Sequence, residues 1–276
     1  MAARALVRCG PAIAGVPILL YHGIAERAPS GGKYCVSPAD FRAQLGDLLA
    51  KGRLPVYVRE ATSVPLAKRP AAISFDDGLA SDYQSAFPLL AEHGVPATFF
   101  VNTANIGSPG FLGWEEMREM QRAGMSFGSH GHFHVCLLGL NVESCAAQLR
   151  LSRQLLEQKL GSAVACFSAP YGLLNARVIA AARQAGFSVI CSSRNWPARP
   201  GEAVHGRIAI YRHTSLSEFR ELLSCSLPRL ARRRLREAAL AIPKRIMLGL
   251  RPQWLGVAVP QPEGRRRIGW RPGERA

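Results

Sequence analysis

The chain has 276 residues, 48% of them hydrophobic, with 35 Lys+Arg against 19 Asp+Glu and a formal net charge of +16. The length suits one barrel-sized domain, or one such domain with an extension. No apolar run approaches the roughly 18 residues that a bilayer-spanning helix needs, and an odd set of seven cysteines without a C-x-x-C pair excludes a regular disulfide framework.

In chain order, Arg4 and Arg8 precede an apolar stretch at 12–20 that mimics a short signal peptide. It runs straight into Tyr21-His22 with no small-residue cleavage site, so it is read as structure. Together with the cysteine usage this gives the expectation of a cytoplasmic protein, with attachment to the inner face of a membrane as its alternative. Strand-like runs then fall at 16–21, 71–75, 97–101, 126–128, 163–167, 187–191 and 207–211. Helical patterns fall between them, at 38–51, 81–93, 114–123, 142–159 and 175–185, several ending in glycine as at Gly94 and Gly161. Strand and helix in alternation imply a parallel sheet, and a distorted (β/α) barrel is the expected fold. Cys166 and Cys191 lie in strand-like runs and are expected as small core hydrophobes.

The charge is concentrated at the end of the chain. Residues 226–276 hold 13 Lys+Arg against 3 Asp+Glu, so the main domain is read as 16–227, after a lead at 1–15. The extension at 228–276 is read as helical and then, around 260–264, disordered. Leu227, Leu230, Ala231, Leu235, Ala238 and Ile242 recur at helical spacing with arginines on the other face. Three readings stay open: a helix covering the barrel with solvated arginines, peripheral contact with an anionic membrane through 228–250, and nucleic-acid binding. The last is disfavoured, because Trp254 and Trp270 are the only interleaved aromatics and no nucleic-acid motif is present.

Chemistry concentrates in two clusters. The apolar run before Asp76-Asp77-Gly78 reads as a buried strand delivering two carboxylates to its C-terminal tip. Some fifty residues later comes His130-Gly131-His132-Phe133-His134. His130 and His134, four apart, can face one way and share a metal, whereas His132 points elsewhere and is read as a bystander. Alone, an Asp-Asp-Gly is a common turn and an H-x-x-x-H a weak motif. Together they offer one carboxylate and two imidazoles with open positions, the usual arrangement of a catalytic metal, and leave the other carboxylate free as a base.

On these residues the chain resembles the polysaccharide deacetylases with the NodB-type domain, carbohydrate esterase family 4. The matching blocks are Ser74-Phe75-Asp76-Asp77-Gly78, Gly94-Val95-Pro96-Ala97-Thr98-Phe99-Phe100-Val101, Gly128-Ser129-His130-Gly131-His132-Phe133-His134 and Phe167-Ser168-Ala169-Pro170-Tyr171-Gly172. The resemblance runs from about residue 17 to about residue 227 and implies a seven-stranded barrel. It further implies that Asp77, His130 and His134 hold a divalent metal, usually zinc. Asp76 is then the base, and the loop Pro170-Tyr171 meets the substrate, with the Tyr171 N–H on the developing oxyanion.

The general acid is less direct. The family's late Leu-x-His motif is absent. Ile18-Leu19-Leu20-Tyr21-His22 instead resembles the first strand of the circularly permuted deacetylases of poly-N-acetylglucosamine, in which this histidine is the acid; the alternative is a structural histidine at a strand end. Ser168 stands where the family often has an arginine orienting the base. Arg207 is a candidate to supply that guanidinium from another strand, against the plainer reading of a surface arginine. Trp196 either lines an apolar pocket for a methyl group or packs in the core. The expected activity is metal-dependent removal of an acyl group, chiefly acetyl, from an amino sugar of a polysaccharide or glycan precursor. Deacylation or deformylation of a lipid-linked sugar, or glycan binding without turnover, are the alternatives.

Overall fold

The computed structural model of the protein describes residues 11–26 and 32–247. The expected disordered stretch at 260–264, Cys9, Trp254, Trp270 and most of the proposed lead lie outside them.

Seven strands form the main path of a parallel sheet: β1 (Ile18–Tyr21), β2 (Pro70–Asp77), β3 (Ala97–Val101), β4 (Ser126–Ser129), β5 (Cys166–Ser168), β6 (Val189–Cys191) and β7 (Ile208–Ala209). Their spatial order is β7-β1-β2-β3-β4-β5-β6, and a further strand, Leu54–Val56, pairs with β2 off that path. Cys191 pairs in parallel with His205, and the Ser192 N–H donates to the His205 carbonyl at 2.9 Å. The β6 edge thus meets the segment entering β7, and the sheet curls into a closed, distorted barrel.

Alternation along β2 sorts its side chains. Ala71, Ile73 and Phe75 face the helices, while Ala72, Ser74 and Asp76 face the barrel interior. The outer layer is aromatic: Phe75 stacks on Phe99 at 4.8 Å and on Tyr21 at 5.5 Å. The interior mixes apolar groups (Ile18, Phe100, Cys166, Cys191) with buried Ser74, Thr98, Ser168 and Arg207. Burial pushes the Cys191 thiol up to about 12, which keeps it protonated and unreactive.

Helices α1 (Pro38–Ala50), α2 (Phe87–Glu92), α3 (Trp114–Arg122), α4 (Val142–Leu160) and α5 (Ala176–Gln184) alternate with the strands. The helix expected over 81–93 differs at its start, where Asp82–Ala86 form a π-helical turn before α2. Pro88 lies in the first turn of α2 and has no N–H for the Gln84 carbonyl, so the chain widens there. Two further helices, α6 (Leu216–Leu223) and α7 (Leu227–Met247), complete the described chain. The start of α7 packs on the barrel through buried Leu230 and an Arg233–Glu218 ion pair at 2.8 Å. Farther along, Leu235 is 73% exposed. None of the described helices is long and apolar enough to cross a membrane.

One close approach inside the sheet bears on the site. A Cβ at Gly128 would lie 2.7 Å from the Phe100 ring and 3.0 Å from the Cys166 carbonyl. Gly128→Ala should therefore destabilise the fold by about 1–3 kcal/mol, read as a lower denaturation midpoint with an unchanged m-value; an unshifted midpoint would show that β4 yields without strain.

Candidate active site

β2 carries Asp76 and Asp77 to its end, where Asp77 takes a φ of 81° and Gly78 one of 68°. This left-handed pair turns the chain sharply, and at Gly78 a Cβ would come within 2.8 Å of Val101 Cγ1. The turn separates the two neighbouring carboxylates into different surroundings.

Asp76 is buried and faces inward. Arg207 Nη1 donates to its Oδ1 at 2.7 Å and Nη2 to its Oδ2 at 2.6 Å, a bidentate pair of the strongest type. Arg207 has no exposed surface; its guanidinium also lies 5.1 Å from the Phe100 ring centroid. Nη2 donates to Ser168 Oγ at 2.7 Å, and that hydroxyl in turn donates to Asp76 Oδ2 at 3.3 Å. Burial alone would raise the Asp76 pKa, but Arg207 and then His130 hold it well below the usual carboxylate range. Asp76 is thus held as a carboxylate, and Arg207 is its buried partner and not a surface arginine.

Asp77 looks toward the two histidines. Its Oδ1 lies 3.5 Å from His130 Nε2 and 3.4 Å from His134 Nε2, and those three ligand atoms lie within 4.8 Å of one another. The cluster fits a metal by its hydrogen bonding. Asp77 Oδ1 is buried with no hydrogen-bond partner. His130 Nδ1 donates to the Ser168 carbonyl at 2.8 Å, which leaves Nε2 as the ring nitrogen facing Asp77. Burial and then His130 depress the His134 pKa, which favours the neutral imidazole, the form that can donate a lone pair. The His130 backbone is held by its N–H to the Val101 carbonyl at 2.9 Å and by Asn102 Nδ2 on its carbonyl at 2.6 Å. His132 turns to the Thr103 hydroxyl at 2.8 Å and is not in the cluster.

His22 follows β1 directly. Burial, the largest effect, lowers its pKa, while Asp76 and Asp77 oppose this from nearby. Its Nδ1 is buried without a hydrogen-bond partner. Tyr171 has a φ of 61°, its ring lies 4.6 Å from that of His134, and its hydroxyl donates to the His134 carbonyl at 3.4 Å. Pro170, buried beside it, lies against the Gly131 turn. The loop 170–172 therefore borders the Asp77–His130–His134 cluster. Trp196 packs against the core, the second of its two readings. Its ring lies under the Arg234 guanidinium of α7 at 4.7 Å, and two residues on, Ala198 pairs with Val16, below β1 at the barrel end opposite the carboxylates.

Two groups were not anticipated from sequence. Ser168, noted only as a missing arginine, links all three parts: its hydroxyl joins Arg207 to Asp76 and its carbonyl orients His130. Tyr34 packs on His22 with ring centroids 4.6 Å apart, a contact with no signature in the local sequence.

A parallel barrel with a carboxylate and two imidazoles at its strand ends defines a candidate metal-centred barrel protein. The family model for polysaccharide deacetylase matches residues 63–190, and over that stretch the chain is similar to that family. β1 and His22 lie before the matched segment. Among curated proteins, YxkH of Bacillus subtilis, provisionally named a polysaccharide deacetylase, is 31% identical over 181 residues. That alignment covers 64% of this chain and 63% of YxkH, so less than two thirds of the relative. The poly-beta-1,6-N-acetyl-D-glucosamine N-deacetylase of Staphylococcus epidermidis is 28% identical over 198 residues, covering 61% of this chain and 68% of that one. The structure of the Streptococcus pyogenes deacetylase PplD in complex with acetate superposes with a TM-score of 0.71 at 24% identity, over 77% of this chain and 99% of that one; at this identity the likeness concerns the fold.

Proposed function

We propose that the protein is a zinc-dependent hydrolase that removes N-acetyl groups from the amino sugars of a polysaccharide or glycan precursor. The observation that carries this reading is the Asp77–His130–His134 cluster set beside an Asp76 carboxylate held ionised by Arg207. The donor set of one carboxylate oxygen and two imidazole nitrogens suits zinc, and the likeness to a poly-N-acetylglucosamine deacetylase supports the substrate class. Bound there, zinc supplies Lewis-acid polarisation of an amide carbonyl and acidifies water.

The chain's own residues do the rest. Asp76 accepts a proton from the attacking water on a carboxylate oxygen, and Arg207 with Ser168 keeps that oxygen in place and charged. His22, in its imidazolium form, donates a proton to the departing amine nitrogen; burial disfavours that form, and the nearby Asp76 and Asp77 carboxylates favour it. The Tyr171 N–H, carried on the turn beside His134, stabilises the oxyanion in this reading.

A lipid-linked amino sugar is the second reading. It is favoured by α7, where exposed Leu235 stands among exposed Arg232, Arg234 and Arg236, as a peripheral membrane contact would require.

The test is acetate release from a panel of N-acetylated sugars, from free oligomers to lipid-linked forms on anionic vesicles, by zinc-loaded protein. His134→Ala should weaken zinc retention and lose release together. Release that survives chelation and removal of His134 would sink the metal mechanism, and exclusive use of the vesicle-borne form would select the second reading.

A further inference from the structure

We propose that the cavity at the foot of the barrel, between Arg53 and Arg69, binds a phosphomonoester group, at a site separate from the Asp77–His130–His134 cluster. The inference does not depend on the deacetylase reading.

Backbone register brings the two charges together. The strand Leu54–Val56 pairs in parallel with the start of β2 in the register Leu54↔Pro70, and the Leu54 N–H donates to the Arg69 carbonyl at 3.1 Å. Arg53 and Arg69, one residue earlier on each side, therefore stand abreast, and like charges so placed repel. Both line a cavity of about 290 Å³, together with Ile13, Gly15, Leu66 and Cys225. β2 runs from Pro70 beside this cavity to Asp77, so the cavity lies at the barrel end opposite the carboxylates.

The charge is uncompensated. Among the described residues no Asp or Glu lines the cavity, and none of the described ion pairs includes Arg53 or Arg69. Arg53 Nη2 donates to the Leu223 carbonyl, which anchors the side chain, while its Nε is buried without a hydrogen-bond partner. Burial, the largest effect, lowers the Arg53 pKa; the Arg69 charge adds to this and Cys225 opposes it. A guanidinium stays protonated through such a shift. Arg199, whose Nε donates to the Ala14 carbonyl at 3.1 Å, brings a third guanidinium to the wall.

Two adjacent guanidiniums without an acid select a ligand with two negative charges close together. A carboxylate supplies one and leaves the repulsion partly standing. A phosphomonoester carries nearly two at neutral pH and offers three oxygens to the guanidinium forks. The apolar wall at Ile13, Leu66 and Pro70 lowers the local dielectric and strengthens the attraction. Such a group comes either from a soluble phosphate ester or from the headgroup of an anionic lipid.

The plain alternative is a pair of solvated arginines. Calorimetric titration of full-length protein with inorganic phosphate, against chloride at equal ionic strength, separates the two. Arg69 is exposed and in none of the described ion pairs, so Arg69→Gln removes charge without breaking one; Arg122→Gln, exposed on α3, is the control of equal net charge. The wild type and Arg122→Gln should bind phosphate alike, and Arg69→Gln about tenfold more weakly, as expected for one lost charge-assisted contact. In chloride alone Arg69→Gln should melt no lower than the wild type, because the repulsion is relieved; a residue needed only for folding would melt lower. No phosphate binding by the wild type, or equal binding by Arg69→Gln, overturns the site. Flotation on phosphatidylcholine vesicles carrying phosphatidic acid, or phosphatidylglycerol at equal surface charge, then identifies the source. A preference for phosphatidic acid that Arg69→Gln loses assigns the site to a lipid headgroup. Equal flotation on both, with the phosphate titration as expected, assigns it to a soluble ester.

Discussion

Asp76→Asn should lower acetate release by about a thousandfold, the range lost when a positioned general base is removed. The amide keeps the shape of the side chain but cannot take a proton from water. The base role depends on charge that the structure maintains at some expense, since Asp76 is buried and yet held ionised by Arg207 and His130. Zinc content separates this loss from damage to the metal ligands. Asp76 Oδ2 lies 4.0 Å from His130 Nε2, whereas Asp77 Oδ1 is the oxygen that faces both imidazoles. Asp76→Asn protein that retains zinc and has lost turnover identifies the base. Retained zinc with undiminished release would assign the proton to another group.

Much of this arrangement was legible because it is local. Apolar runs ending in chemistry-bearing residues marked β2 and β4, and glycines with left-handed φ closed the helices at Gly94 and Gly161. What was not legible depends on register and on distance in the chain. Arg207 reaches Asp76 across 131 positions, and only the missing charge at Ser168 drew attention to it. The role of Ser168 itself needs β5 beside β4, a pairing that no residue pattern announces. Tyr34 lies next to His22 because of a two-residue strand pair, too short to register as alternation. For Trp196 the sequence left a methyl pocket and core packing open, and only the fold, in which the chain beyond β6 doubles back and pairs Ala198 with Val16, sets it against the core. Helix α6 had a signal that was passed over: Ser215 caps the Glu218 N–H at 3.1 Å, the spacing of a capping box.

Arg207→Met should destabilise the fold by about 3–5 kcal/mol, the usual consequence of leaving one member of a buried ion pair without its partner. Methionine fills much of the space, so the loss reports charge more than volume. The stranded Asp76 carboxylate would then follow its burial and rise in pKa, so activity at neutral pH should fall with stability even though Arg207 is a positioning residue that meets no substrate. Arg207→Lys should recover only part of each effect. An ammonium is a point charge and cannot bridge both Asp76 oxygens and the Ser168 hydroxyl as the guanidinium does. The decisive comparison is the double variant Asp76→Asn/Arg207→Met. If the cost lies in the uncompensated charge, the double variant should be more stable in denaturant than Arg207→Met alone, while remaining inactive. Additive losses in the cycle would place the cost in packing against Phe100. Full activity in Arg207→Met would show that the base needs no guanidinium. Buried pairs often add little net stability over apolar substitutes, so the expected recovery would give this one a specific meaning: a barrel interior that gives up some stability to keep the Asp76 carboxylate charged beside the Asp77–His130–His134 cluster.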